Sequence, residues 1–134
     1  MAHILVVEDS DDLQFIFSWV FRSDGHTLHA VGDGQVALDY LADNTPNIIV
    51  LDINLPNVSG LEVAQYVRQQ PRLNETRIIF VTGNQMHQHS EGAELGDLFL
   101  LKPVDAQLLV RMADRLLTPR TVTRREPLGE TTCV

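Results

Sequence analysis

Five side chains capable of chemistry stand at the ends of apolar runs in this 134-residue chain. Glu8 and Asp9 follow the run at 4–7, Asp52 the run at 48–51, Thr82 the run at 78–81, and Lys102 the run Leu98–Leu101. Together they are three carboxylates, a hydroxyl and an ammonium. Lys102 is the single lysine of the chain, and a lysine closing a run that reads as buried strand requires an anionic partner. Two carboxylates about 5 Å apart repel by about 3 kcal/mol at an effective dielectric near 20. Three such pairs amount to about 10 kcal/mol, comparable with the stability of a whole domain. One lysine cannot neutralise three acids. Either a proton is retained, raising a carboxyl pKa, or a cation binds. Hard oxygen donors with room for water suit Mg2+ best.

Each group has an ordinary reading by itself. An acid after a strand often caps a helix, and Ser10, Asp11 or Asp12 could do the same. Asp52 precedes "NLPN", which is turn chemistry. Threonine at a strand end is common β preference, and a strand-end lysine usually reaches solvent. Their weight comes from falling on one edge of one sheet.

That edge follows from the elements. Five apolar runs stand out: 4–7, Thr27–Val31, 48–51, 78–81 and Leu98–Leu101. Four are nearly continuous, as in parallel strands covered on both faces. The second, "HTLHAV", alternates and belongs at a sheet edge. Helical spacing links them. "SDD" offers caps, Leu13, Ile16, Phe17 and Val20 form an inward stripe, and Gly25 stops the helix. Residues 36–41 and 61–68 read as shorter helices. Asp105 caps a last helix with Leu108, Leu109, Met112 and Leu116 inward. The segment 85–96 is polar and glycine-interrupted. The alternation predicts an α/β fold: a doubly wound, five-stranded parallel sheet in the order 2-1-3-4-5, helices on both faces. Ligands of such sheets bind beyond the carboxyl ends of the strands, where strand order reverses. Strands one and three meet there, bringing Glu8, Asp9 and Asp52 together.

Bulk properties narrow the function. Formal net charge is −8 and the pI about 4.9, which speaks against a nucleic-acid surface. No apolar run has the length of a membrane span, and no secretory signal pattern opens the chain. The single cysteine, Cys133, cannot form an internal disulfide, consistent with a reducing, cytoplasmic setting. Residues 1–117 read as one domain and 118–134 as a tail or linker without periodicity.

"VVED", "VLDINLPNVSG", "FVTG" and "LLKP", in this order on successive strands, resemble the receiver domain of two-component response regulators. The resemblance covers about residues 3–117, and it is the ordered set that is specific. It implies that Asp52 accepts a phosphoryl group from a phosphohistidine of a histidine kinase or histidine phosphotransfer protein. It implies Mg2+ held by Asp9 and Asp52, by Glu8 through water, and by the backbone carbonyl of Asn54. Thr82 and Lys102 would grip the phosphoryl oxygens, with Thr82 and Phe99 as the switch passed to a downstream protein target. The resemblance also raises the expectation of a cis Lys102–Pro103 bond above the base rate of about 5–6%. It implies a signalling phosphoacceptor rather than an enzyme with turnover.

Phe15 and Trp19 lie off the inward stripe and are expected at the surface, either as a docking patch for the histidine donor or packed under a neighbouring element. His87 and His89 have no third ligand nearby in sequence. One alternative is a phosphohydrolase forming an aspartyl-phosphate; Asn54 speaks against it, because an amide cannot serve as general acid. Nucleotide binding lacks its glycine fingerprint. A pseudo-receiver is disfavoured by the complete acid, hydroxyl and lysine set. A stand-alone receiver is favoured over a fragment of a longer regulator, because the sequence ends at Val134.

Overall fold

The computed structural model describes residues 2–83 and 92–118. The strands are β1 (His3–Val7), β2 (Thr27–Val31), β3 (Ile48–Asp52), β4 (Arg77–Thr82) and β5 (Leu98–Leu101). They form one sheet in the order β2-β1-β3-β4-β5, and every pairing is parallel. The helices are α1 (Asp11–Ser23), α2 (Gly34–Asp43), α3 (Gly60–Gln69) and α4 (Ala106–Leu117).

The continuous apolar runs are explained by two cores. Leu5, Val7, Ile49, Leu51, Ile78 and Phe80 face one side of the sheet, with Ala37 and Leu41 of α2 and Val63, Ala64 and Val67 of α3. Ile4, Val6, Ile48, Val50, Ile79 and Val81 face the other, with Phe17 and Phe21 of α1 and Leu109 and Ala113 of α4. Successive strand residues point to opposite faces, so strands covered on both sides must be apolar throughout. Each fully buried large aliphatic side chain stabilises by about 1.5–3 kcal/mol. These three central strands therefore hold the rim at their carboxyl ends rigidly.

Side-chain caps start the α-helices, and a glycine follows the first. Ser10 caps α1, accepting from the Leu13 N–H at 3.3 Å, and Asp11 and Asp12 occupy the positive first turn. Ser59 and Glu62 form a reciprocal capping box on α3. Asp105 accepts from the N–H groups of Gln107 and Leu108 to start α4. Gly25 follows α1 at φ +88°. The Lys102–Pro103 bond is cis.

Several expectations are corrected. Ile16 does not face the core: it is 44% exposed, and the inward stripe of α1 is Leu13, Phe17, Val20 and Phe21. Both phases fit the apolar spacing, and packing against the sheet selects the one that buries two phenylalanines. β5 is only partly covered: Phe99 packs on one core and Leu98 and Leu100 on the other. It is the second edge strand, its residues are half-buried, and Leu101 is exposed. Helices α2 and α3 run one or two residues further at each end than 36–41 and 61–68. In α4 the fully buried positions are Leu109 and Ala113, while Leu108 and Met112 are half-buried. Of the segment 85–96, only a short 3₁₀ turn at Ala93–Leu95 and its flanks lie within the described residues; His87 and His89 lie outside them.

Candidate functional site

Glu8 leaves β1 directly and is held in three ways. Its N–H donates to Val31 O at 3.0 Å, its carbonyl accepts from Gln14 Nε2 at 2.6 Å, and its Oε2 accepts from the Ser10 N–H at 3.1 Å. Its side chain is buried, whereas neighbouring Asp9 is exposed. Asp52 is the last residue of β3, paired with Val81 of β4, and it too is buried. Its Oδ1 accepts from the Asn54 N–H at 3.2 Å. One carboxylate oxygen from each of Glu8, Asp9 and Asp52 lies within 4.8 Å of the others.

Lys102 enters from the far side of this group. Its backbone N–H donates to Thr82 O at 2.8 Å, which extends the β4–β5 pairing by one residue and fixes where the side chain starts. Its Nζ lies 3.1 Å from Asp52 Oδ2 and 2.9 Å from Glu8 Oε1. The contact with Glu8 is an ion pair off hydrogen-bonding angle. Among the described residues, Glu8 Oε1 is the buried side-chain oxygen without a hydrogen bond. Burial pushes the Glu8 carboxyl pKa up, and the Asp52 charge adds to this, against the opposing pull of Lys102 and the Ser10 N–H. For Lys102, burial acts downward, but the Glu8 and Asp52 carboxylates outweigh it and the pKa is raised.

The residues present fit a hard divalent cation. With all three carboxylates charged, the one ammonium would leave two negative charges in a small volume. Glu8 Oε1 is buried with the Lys102 ammonium on it, and exposed Asp9 opens the group to solvent. Oxygen donors with an open side are what Mg2+ requires.

Thr82 is fully buried at the end of β4. Phe99 on β5 is half-buried, with its ring 5.9 Å from that of Phe80, its register partner. Phe15 and Trp19 are 71% and 63% exposed on α1, away from the acid group's own contacts. Sequence reasoning assigned Lys102 to Asp52 and missed Glu8 as an equally close partner. It also missed Gln14 and the Ser10 amide, which fix Glu8; serine two residues after an acid at a helix start was the available signal.

A second group brings Asp24, His26 and Asp114 together where α1, β2 and α4 meet. His26 Nε2 lies 3.2 Å from Asp24 and 3.1 Å from Asp114, while its Nδ1 accepts the Ala2 N–H at 3.1 Å. With Nδ1 accepting, Nε2 carries the ring proton and donates to the carboxylates. The imidazole then has no lone pair left for a metal, and His26 ties β2 to α1 and α4 through the two carboxylates.

The fold and this rim define a class, and comparison with known proteins states it. The family model of the response regulator receiver domain matches residues 4–114, and the chain belongs to that family. It is 32% identical over 130 residues to the response regulator ArlR of Staphylococcus epidermidis, across 95% of this chain and 55% of that protein. The chain thus spans about half the length of the curated relatives it matches. Among solved structures it resembles the signal receiver domain of a signal transduction histidine kinase from Syntrophus aciditrophicus, at 25% identity and TM-score 0.81, covering 97% of this chain and 98% of that one. It shares its fold with the response regulator TrrA of Thermotoga maritima, solved in complex with Mg2+ and BeF, at 24% identity and TM-score 0.79, covering 87% and 99%. The match to the receiver family leaves the phosphohydrolase reading without support.

Proposed function

We propose that this chain is a phospho-accepting signalling domain in which Asp52 takes a phosphoryl group from a phosphohistidine of a histidine kinase or phosphotransfer protein. The observation that carries this reading is the convergence of Glu8, Asp9, Asp52 and Lys102 at the carboxyl ends of β1, β3 and β5. An Asp52 oxygen attacks phosphorus as the P–N bond breaks. The electron pair stays on the ring nitrogen, and with the other ring nitrogen protonated a neutral imidazole leaves. Lys102 offsets negative charge on the transferring oxygens, and its position is fixed by the strand end that holds it. Glu8, Asp9, Asp52 and the Asn54 carbonyl are the residues that would hold Mg2+, which when bound supplies further neutralisation of the phosphoryl charge.

The product places a dianionic group beside Thr82 and Lys102. Thr82 moves toward it, and the half-buried Phe99 ring, packed on Phe80 at an edge strand, has room to follow. The β4–β5 edge is then the surface that a downstream protein reads. Exposed Phe15 and Trp19 on α1, whose N-terminus lies next to Asp9, are the surface that receives the histidine donor. The proposed location is cytoplasmic; among the described residues no helix is long and apolar enough to cross a membrane.

The test is incubation with acetyl phosphate or phosphoramidate and Mg2+, followed by intact-mass measurement. One phosphoryl group is expected, lost in Asp52→Ala and in EDTA. Unchanged labelling of Asp52→Ala would overturn the reading.

A further inference from the structure

The loop that follows Asp52 is held from outside the acid group. It runs from Ile53 to Ser59 and carries Asn54. At its base the Gly60 N–H donates to Ile53 O at 2.9 Å, and a Cβ on Gly60 would stand 2.1 Å from Asp52 O. At its crest it rests on the start of α2. The Gly34 N–H donates to Pro56 O at 3.3 Å, and a Cβ on Gly34 would stand 1.8 Å from Val58 O, so only glycine allows this approach.

Asp33 joins the two elements with one carboxylate. Its Oδ1 caps α2, accepting from the Gln35 N–H at 2.6 Å and the Val36 N–H at 3.3 Å. Its Oδ2 accepts from Asn57 Nδ2. Asn57 has φ +67°, a left-handed conformation that asparagine tolerates and most residues do not. The crest of the loop is therefore fixed in direction by a residue nineteen positions before Asp52 in the chain.

We propose that Asp33, through its bond to Asn57, is a positioning residue for the cation site, holding the loop that carries Asn54 in the arrangement that binds Mg2+. This rests on the reading of the acid rim as a Mg2+ site and deepens it. Neither residue touches the acids. Their effect is to remove alternative loop conformations that would have to be given up on binding.

The experiment is calorimetric Mg2+ titration of the whole chain with two variants chosen to preserve the fold. Asn57→Gly keeps the left-handed backbone and deletes the grip. Asp33→Ser keeps a cap for α2 and is too short to reach Asn57. Each is expected to weaken Mg2+ binding by about 10-fold. The double variant should lose no more than the worse single, because both remove one bond. The melting temperature of Asn57→Gly in EDTA should match the parent, which separates positioning from general loosening. Unchanged Mg2+ affinity in both singles, or losses that add in the double variant, overturns the proposal. Asp9→Asn serves as the reference: if it binds Mg2+ as the parent does, the cation site itself is wrong and the proposal falls with it. If Asp9→Asn loses binding while Asn57→Gly keeps it, the positioning role alone is overturned.

Discussion

Lys102 and Asp52, fifty residues apart in the chain, meet at 3.1 Å across the carboxyl end of the sheet. Nothing local brings them together. Asp52 ends β3 and Lys102 extends β5, and the two strands are held in register by β4 between them.

Removing the ammonium isolates the acids. Lys102→Ala should lower stability in EDTA by about 1–3 kcal/mol, the cost of leaving a buried charged group without its partner. Mg2+ should still bind, and no less tightly, because a positive charge has left the site. The phosphorylated variant should fail to change conformation. Chemical denaturation in EDTA and in Mg2+ reads the first two effects, and near-ultraviolet circular dichroism with and without phosphodonor reads the third.

Glu8→Gln tests the opposite partner. Burial raises the Glu8 pKa above its unfolded value of 4.5. The folded state therefore binds the proton more tightly, so Glu8's contribution is most favourable at low pH and declines as pH rises through the folded pKa. A neutral isostere escapes that cost at neutral pH. The melting temperature in EDTA should rise, while Mg2+ affinity falls by about 10-fold. A variant less stable than the parent in EDTA contradicts the electrostatic account.

The aromatic pair on α1 separates docking from chemistry. Phe15→Ala with Trp19→Ala removes exposed side chains, so stability should change by no more than about 0.5 kcal/mol. Labelling by acetyl phosphate should match the parent, and transfer from the protein donor should slow by at least about tenfold, the loss of a typical interface aromatic. Equal slowing with both donors would end the docking assignment.

His3 predicts an acid-side slope of stability. Burial lowers its pKa from 6.5, and the His29 charge adds to this. Its ring contacts Thr27 Oγ1 at 2.9 Å and the Tyr40 hydroxyl, and His29 stacks on Tyr40 at 4.2 Å. A histidine with a depressed folded pKa contributes stability that is full above pH 6.5 and is lost as pH falls through the folded value. His3→Gln should flatten urea stability measured at several pH values from 7 downward. An unchanged slope would assign the pH dependence to other groups.

The sequence by itself determined the strands, their parallel arrangement and the rim on which the acids, hydroxyl and lysine fall. Its reason is local: a strand covered on both faces must be apolar throughout, and the residue that leaves it is free to be polar. Tertiary structure alone decided the rest. Leu13, Ile16, Phe17, Val20 and Phe21 allow two helical phases, and packing on the sheet buried Phe21 and exposed Ile16. Leu98–Leu101 is as apolar as a central strand, yet β5 has a neighbour on one side only, so it is half-buried. Glu8 as a second partner of Lys102, and Asp33 as the anchor of the Asn57 loop, join residues 94 and 24 positions apart. Such pairs are set by the order of strands and the seating of helices. No spacing within either segment encodes them, because each residue's partner lies on a different element.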